Sequence, residues 1–157
     1  MPPVIIRPAA SRDLLEIGAL WHEKVILLQQ LDARFAPQSD SQSRFIQAAT
    51  SWLDAPDTMI FVAIRDEQVG GFTVAHIQPG WSGLLPEQQG VVTQLVVDAH
   101  GQPGGIGRLL LETVREWLIG QGIRQMIVHV PHRFAIEQAF WRASGATDWM
   151  DILWLTF

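Results

Sequence analysis

The feature that most constrains this chain is a strand that runs straight into a glycine-rich turn and out again into a helix. Gln94-Leu95-Val96-Val97 is apolar and β-prone, and Gly101-Gln102-Pro103-Gly104-Gly105 breaks its direction. Ile106, Leu110, Val114 and Trp117 then recur at helical spacing, up to Gly120 or Gly122. Met126 to Val130 reads as the next strand. A β-turn-α-β unit of this length makes its two strands parallel neighbours, with the helix packed across them.

The rest of the chain must build the sheet that this unit joins. Val4-Ile5-Ile6 predicts a short first strand. Ser11 predicts a helix N-cap, and Leu14, Ile17, Trp21, Val25, Leu28 and Leu31 mark one face of the helix that follows. Residues 36–43 predict a loop, and Phe45, Ala48, Ala49 and Trp52 a second helix. Met59 to Ile64 and Val69 to Ile77 flank a polar turn and predict an antiparallel hairpin. Phe134 to Ser144 predicts a helix, with Ile136, Phe140 and Ala143 on its sheet-packed face, and Trp149 to Phe157 a terminal strand. The predicted order is β-α-α-β-β-β-α-β-α-β. This is an α/β chain of the α+β type, with a mixed, mostly antiparallel central sheet and helices on both faces. A length of 157 residues fits a single domain over 1–157.

Composition removes several functions. A net charge of −5, with one lysine, argues against nucleic-acid binding, which needs clustered cations. The absence of Cys excludes disulfides, thiolate catalysis and Cys-based zinc sites. No apolar run reaches the roughly 20 residues of a membrane span. The N-terminus lacks the basic-then-apolar pattern of a secretory signal, so a cytoplasmic protein with no membrane partner is expected.

The turn itself predicts a phosphate cradle. Glycines let backbone approach a ligand closely, the helix start aims unpaired N–H groups at it, and Arg108 adds a cation. A P-loop needs Lys-Ser/Thr after its glycines, and Arg108-Leu109 fails that test. The dinucleotide fingerprint needs a further glycine where Leu110 stands.

Gln102-x-x-Gly105-x-Gly107, after a strand of the type Leu95-x-Val97-Asp98, resembles the acyl-CoA motif of the GNAT family of N-acetyltransferases. The similarity extends to the element order and to the ending Phe140-Trp141-Arg142-Ala143-Ser144-Gly145. It implies an acetyl-CoA-dependent N-acetyltransferase that acts on a primary amine of a small molecule or peptide, by direct attack in a ternary complex. Acetyl-CoA is then the acyl donor, with no metal. The resemblance places the pantetheine arm along Leu95, Val96 and Val97, and the pyrophosphate on Gln102, Pro103, Gly104, Gly105, Ile106, Gly107 and Arg108. It puts Phe134, Gln138 and Trp141 on the cofactor-facing side of the last helix. Trp141 stands where the family often has a Tyr acid, and an indole cannot release its N–H proton at neutral pH.

The base is predicted among His76, Glu23 and His22, with water or His129 as the source of the proton for the leaving thiolate. His76 is the one titratable side chain on its strand, and His129 stands where two strands splay. His22, Arg34 and Phe35 are candidates for the acceptor site. His129 and His132 have no Cys or nearby carboxylate to complete a metal site. The alternative is a non-catalytic acyl-CoA-binding module of the same fold, and a homodimer is open to either.

Overall fold

A computed structural model describes residues 2–101 and 104–157 of the chain. Its order is β1 (Ile5–Pro8), α1 (Leu14–Leu31), α2 (Ser41–Leu53), β2 (Thr58–Arg65), β3 (Gln68–Pro79), β4 (Gln88–Val97), α3 (Ile106–Gly120), β5 (Met126–Val128) and α4 (Ala135–Ala143). The strands lie in sequence order, β1-β2-β3-β4-β5. The first four are antiparallel and β5 runs parallel to β4, as the β-turn-α-β unit requires.

Apolar residues on the two sides of the sheet build two cores. Leu14, Ile17 and Phe45 of α1 and α2 pack with Val62, Phe72, Val74 and Val96 on one side. Leu110, Leu111 and Val114 of α3 and Trp141 of α4 pack with Ala63, Ala75 and Val92 on the other. Alternation along each strand therefore feeds both layers, and only a sheet covered twice buries them all.

Ser11 begins a short 3-10 turn and caps nothing with its side chain. Asp13 does that work instead. It accepts the Ala10 N–H at 2.7 Å and binds Arg7 through two hydrogen bonds of 2.8 and 2.9 Å. The Arg7 guanidinium holds the Asp13 carboxyl below its usual range, which fixes β1 to the start of α1.

Two further expectations fail. The segment Trp149 to Phe157 forms no strand: among the described residues no backbone hydrogen bond reaches it, and its large side chains are exposed. Alternating apolar residues give strand propensity, but a strand also needs a neighbour. On α4 the predicted sheet-packed face holds only in Phe140, which packs against the α3-side core. Ile136 is 78% exposed, while Trp141 is buried in the α3-side core and Glu137 is buried as well.

Candidate active site

The site begins where β4 loses its partner. Pairing between β4 and β5 covers Gly90–Val92 and Met126–Val128, then stops. The next residue, Thr93, is a β-bulge, left without an opposite number on β3 between Val74 and Ala75. From Thr93 to Val97 the strand keeps β3 on one side and has an open backbone edge on the other. An open edge inside a fold leaves donors and acceptors that something must satisfy.

Lys24 satisfies one of them. From the half-buried side of α1 its ammonium donates to the Leu95 carbonyl at 3.1 Å. It also pairs with Glu137 of α4 at 3.0 Å and stands 6.0 Å from the centre of the Phe134 ring. A single cation thus ties three elements together across the cleft. A carboxylate buried in the first turn of a helix is tolerated because this counter-ion reaches it.

The open edge leads into the glycine turn. Gly105 is the N-cap of α3 with a left-handed φ of +69°, and no side chain caps the helix. The first-turn amides are therefore available to an anion. Gly107 lies against β4 and α4: a Cβ there would come within 3.2 Å of the Phe140 ring. A Cβ on Gly104 would run into the guanidinium of Arg65, so β2 also brings a cation to this turn. Arg108 projects, exposed, from the first turn of α3. Gln102 and Pro103, the other two residues assigned to the pyrophosphate, lie outside the described residues.

His76 sits on the opposite margin of the bulge. Its Nδ1 is 2.9 Å from the Thr58 hydroxyl and its Nε2 is 3.1 Å from that of Thr93. A neutral imidazole donates at one nitrogen and accepts at the other, so both hydroxyls are matched. Burial lowers the His76 pKa from its usual value, and the nearby Asp57 carboxylate opposes this only in part. The edge of the ring meets Trp52 of α2 at 5.5 Å. Thr58, His76 and Thr93 form a hydroxyl–imidazole–hydroxyl chain that ends at the exposed side chain of the bulge.

The other candidates are spread more widely. His129 is exposed, one residue beyond the last β4–β5 pair. Glu23 is exposed on α1 and His22 half-buried beside it. No hydrogen bond joins any of them to His76 among the described residues. Arg34 and Phe35 line a cavity of about 470 Å³ with Trp21, Val25 and Phe45, between the end of α1 and α2. Arg34 is held by Asp32 through a 2.6 Å contact, and this guanidinium keeps the Asp32 carboxyl well below the usual range.

Phe134, at the N-cap of α4, lies beneath the Lys24 ammonium. Gln138 instead donates to the carbonyls of Pro131 and Val130, tying α4 to the chain beyond β5. Trp141 does not face the cofactor side at all: it is 3% exposed within the core under α3. Helical spacing placed the three on one face but could not tell which side of the helix turns inward, and the structure separates them. Sequence reasoning missed Lys24, Glu137, Arg65 and Thr93. Lys24 offered one signal, as the single lysine placed beside an apolar stripe.

A model of the acetyltransferase (GNAT) family matches residues 25–146. No curated protein sequence matches the chain. Among solved structures, a tetramutant of the BH1408 protein of Bacillus halodurans is similar with a TM-score of 0.84 at 19% identity, covering 98% of this chain and 99% of its own. The aminoglycoside N-acetyltransferase AAC(6')-Iy, in complex with CoA, gives a TM-score of 0.77 at 18% identity, covering 100% and 96%. A predicted acetyltransferase from Clostridium acetobutylicum with acetyl-CoA gives 0.79 at 13% identity, covering 98% and 96%.

Proposed function

Because the chain belongs to the GNAT acetyltransferase family, we propose that it transfers the acetyl group of acetyl-CoA to a primary amine in a ternary complex. The observation that carries this reading is the open edge of β4 from Thr93 to Val97, which runs from the bulge to the uncapped start of α3. An extended pantetheine arm has amides at the spacing of a strand and pairs with such an edge as a strand would. The pyrophosphate then meets the first-turn amides of α3, with Arg108 and Arg65 beside it. Acetyl-CoA supplies the acyl thioester, and the chain's own groups bind, orient and move protons.

The arm and Lys24 compete for the Leu95 carbonyl, so the ammonium yields when the arm binds. The acyl group lies at the splay, where the free N–H groups of the edge polarise its carbonyl. The attacking amine must first be neutral, which for a lysine-like amine costs about 4.6 kcal/mol at pH 7. The Thr93–His76 chain offsets part of this by accepting a proton through the bulge hydroxyl, and the depressed pKa of His76 keeps the ring neutral at working pH. His76 is thus the base we assign, since Glu23 is exposed and makes no side-chain hydrogen bond among the described residues. The leaving thiolate takes its proton from water, since Trp141 is turned away.

AAC(6')-Iy, named for action on aminoglycosides, shares the fold, and a small polyvalent amine is the acceptor class we propose. Its place is the α1–α2 cavity, with Arg34 and Phe35 on the wall. The test is thiol release from acetyl-CoA against a panel of aminoglycosides, diamines and peptide amines, with acetylated products identified by mass. Turnover with at least one amine, dependent on acetyl-CoA, is expected. CoA binding without turnover on any amine would favour the non-catalytic module.

A further inference from the structure

The chain's one lysine stands on the strand edge to which the cofactor is assigned. The Lys24 side chain is only 13% exposed, and its ammonium donates to the Leu95 carbonyl of β4 at 3.1 Å. Glu137 and the ring of Phe134 complete its surroundings. A carbonyl, a carboxylate and an aromatic face are all groups that receive a primary ammonium.

The carboxylate is not fully used. Nζ donates to Oε1 of Glu137 at 3.3 Å, while Oε2, 3.0 Å away, is in ionic contact without hydrogen-bond geometry. Oε2 is buried and accepts no hydrogen bond among the described residues. A buried carboxylate oxygen with an unfilled lone pair beside an ammonium is placed to take its proton. Every other Lys-or-Arg position in the chain is an arginine, whose guanidinium stays charged and is no acyl acceptor. Lys24 is therefore the one side-chain amine that an acyl group can join.

The transferase reading sets the acyl thioester against the free N–H groups of this same edge. Successive strand residues are about 3.3 Å apart, so a carbonyl polarised beside Leu95 is within reach of Nζ. When the arm takes the Leu95 carbonyl, Glu137 keeps the amine at the edge.

Resting on that reading, we propose that Lys24 is a self-acetylation site: with no acceptor bound, the chain transfers the acetyl group of acetyl-CoA to its own Nζ. The ammonium gives one proton to Glu137, which passes it to solvent. The neutral nitrogen attacks the thioester carbon, so an N–C bond forms and the C–S bond breaks. The nitrogen's second surplus proton goes to the thiolate, and the products are an amide and the CoA thiol. Transfer stops at one acetyl group per chain, because the amide is no nucleophile. The modification also removes the cation that ties α1 to α4.

The test incubates the full chain with saturating acetyl-CoA and no amine, and locates the product by peptide mass. One acetyl group is expected, on the peptide that carries Lys24, at a rate per chain that does not change when the protein is diluted. Glu137→Gln should slow it by about 10²-fold, with the circular dichroism and the melting shift with CoA retained. Gly107→Glu, which spoils the cofactor turn, should leave Lys24 unmodified. A wild-type Lys24 that stays free overturns the proposal. So does a label that Gly107→Glu retains, a rate that falls on dilution, or an undiminished rate in Glu137→Gln. The melting shift separates the two failures: an unlabelled Lys24 in a chain that CoA still stabilises leaves the cofactor site standing, whereas no shift removes both.

Discussion

Two open strand edges sit side by side in this sheet, and they are prepared for different occupants. The β4 edge from Thr93 to Val97 faces a cleft whose walls are polar: an ammonium holds the Leu95 carbonyl, a hydroxyl stands at the bulge, and an uncapped helix start lies at its end. The β5 edge faces an apolar groove with one unpaired indole N–H. Both places present unpaired strand backbone among the described residues. The side chains that border each edge decide whether it suits a small charged ligand or another strand.

The largest effect expected at the polar edge comes from Gly107→Glu. CoA at 100 times its dissociation constant adds about 2.7 kcal/mol to stability, which raises the melting temperature of a domain this size by roughly 5–10 °C. In Gly107→Glu that shift should vanish at millimolar CoA, because bulk and a like charge meet the pyrophosphate. The melting temperature without CoA should change less, since the Phe140 ring it crowds is only half-buried. An undiminished shift would move the cofactor away from this turn.

His76→Ala comes next, with turnover lower by about 10²-fold and CoA protection retained. Because burial lowers the folded pKa, the acid limb of the wild-type rate profile should fall below the usual imidazole value of about 6.5. The sign for stability follows from the same shift. Below that usual value the unfolded chain takes up the proton first, so stability falls as the pH drops from there to the folded value. In His76→Gln that slope should flatten, as read by melts from pH 7 to pH 5.

Lys24→Met leaves the Glu137 carboxylate buried without its cation, and should cost about 1–3 kcal/mol, discounted for the side chains' partial exposure. Adding Glu137→Gln should recover most of that loss. Freed of its competitor at Leu95, the double variant should bind CoA a fewfold more tightly, which calorimetry measures. Weaker binding would mean that Lys24 helps the arm rather than competing with it.

The smallest effect belongs to Trp141→Phe. Its indole N–H has no acceptor among the described residues and lies in the α3-side core, so turnover should stay within about twofold. Abolished turnover with normal CoA binding would return the indole to the reaction.

The glycine turn was legible in the sequence because its signals are local: a strand, a break and a helix within about twenty residues. The hairpin and both helices of the α1–α2 layer were legible for the same reason. What was not legible joins distant positions. Lys24 meets Leu95 from 71 residues away and Glu137 from 113, and no periodicity encodes such a meeting. His76 was found by its isolation on a strand, but its two threonines follow from register and from a bulge that only pairing reveals. Glu137 carried no signal of its own, because charge is rarely buried without a partner and its partner lies on another element. The segment 149–157 was read as a terminal strand and forms none, since propensity names no neighbour.

The central claim is that the open edge of β4 and the start of α3 together hold the cofactor. Hydrogen exchange resolved by peptide, with and without CoA, reads this directly. CoA should slow exchange of the amides in 93–97 and 104–108 and leave α2 unchanged, whereas NAD should slow neither. Protection confined to other segments, or none at saturating CoA, would contradict the account.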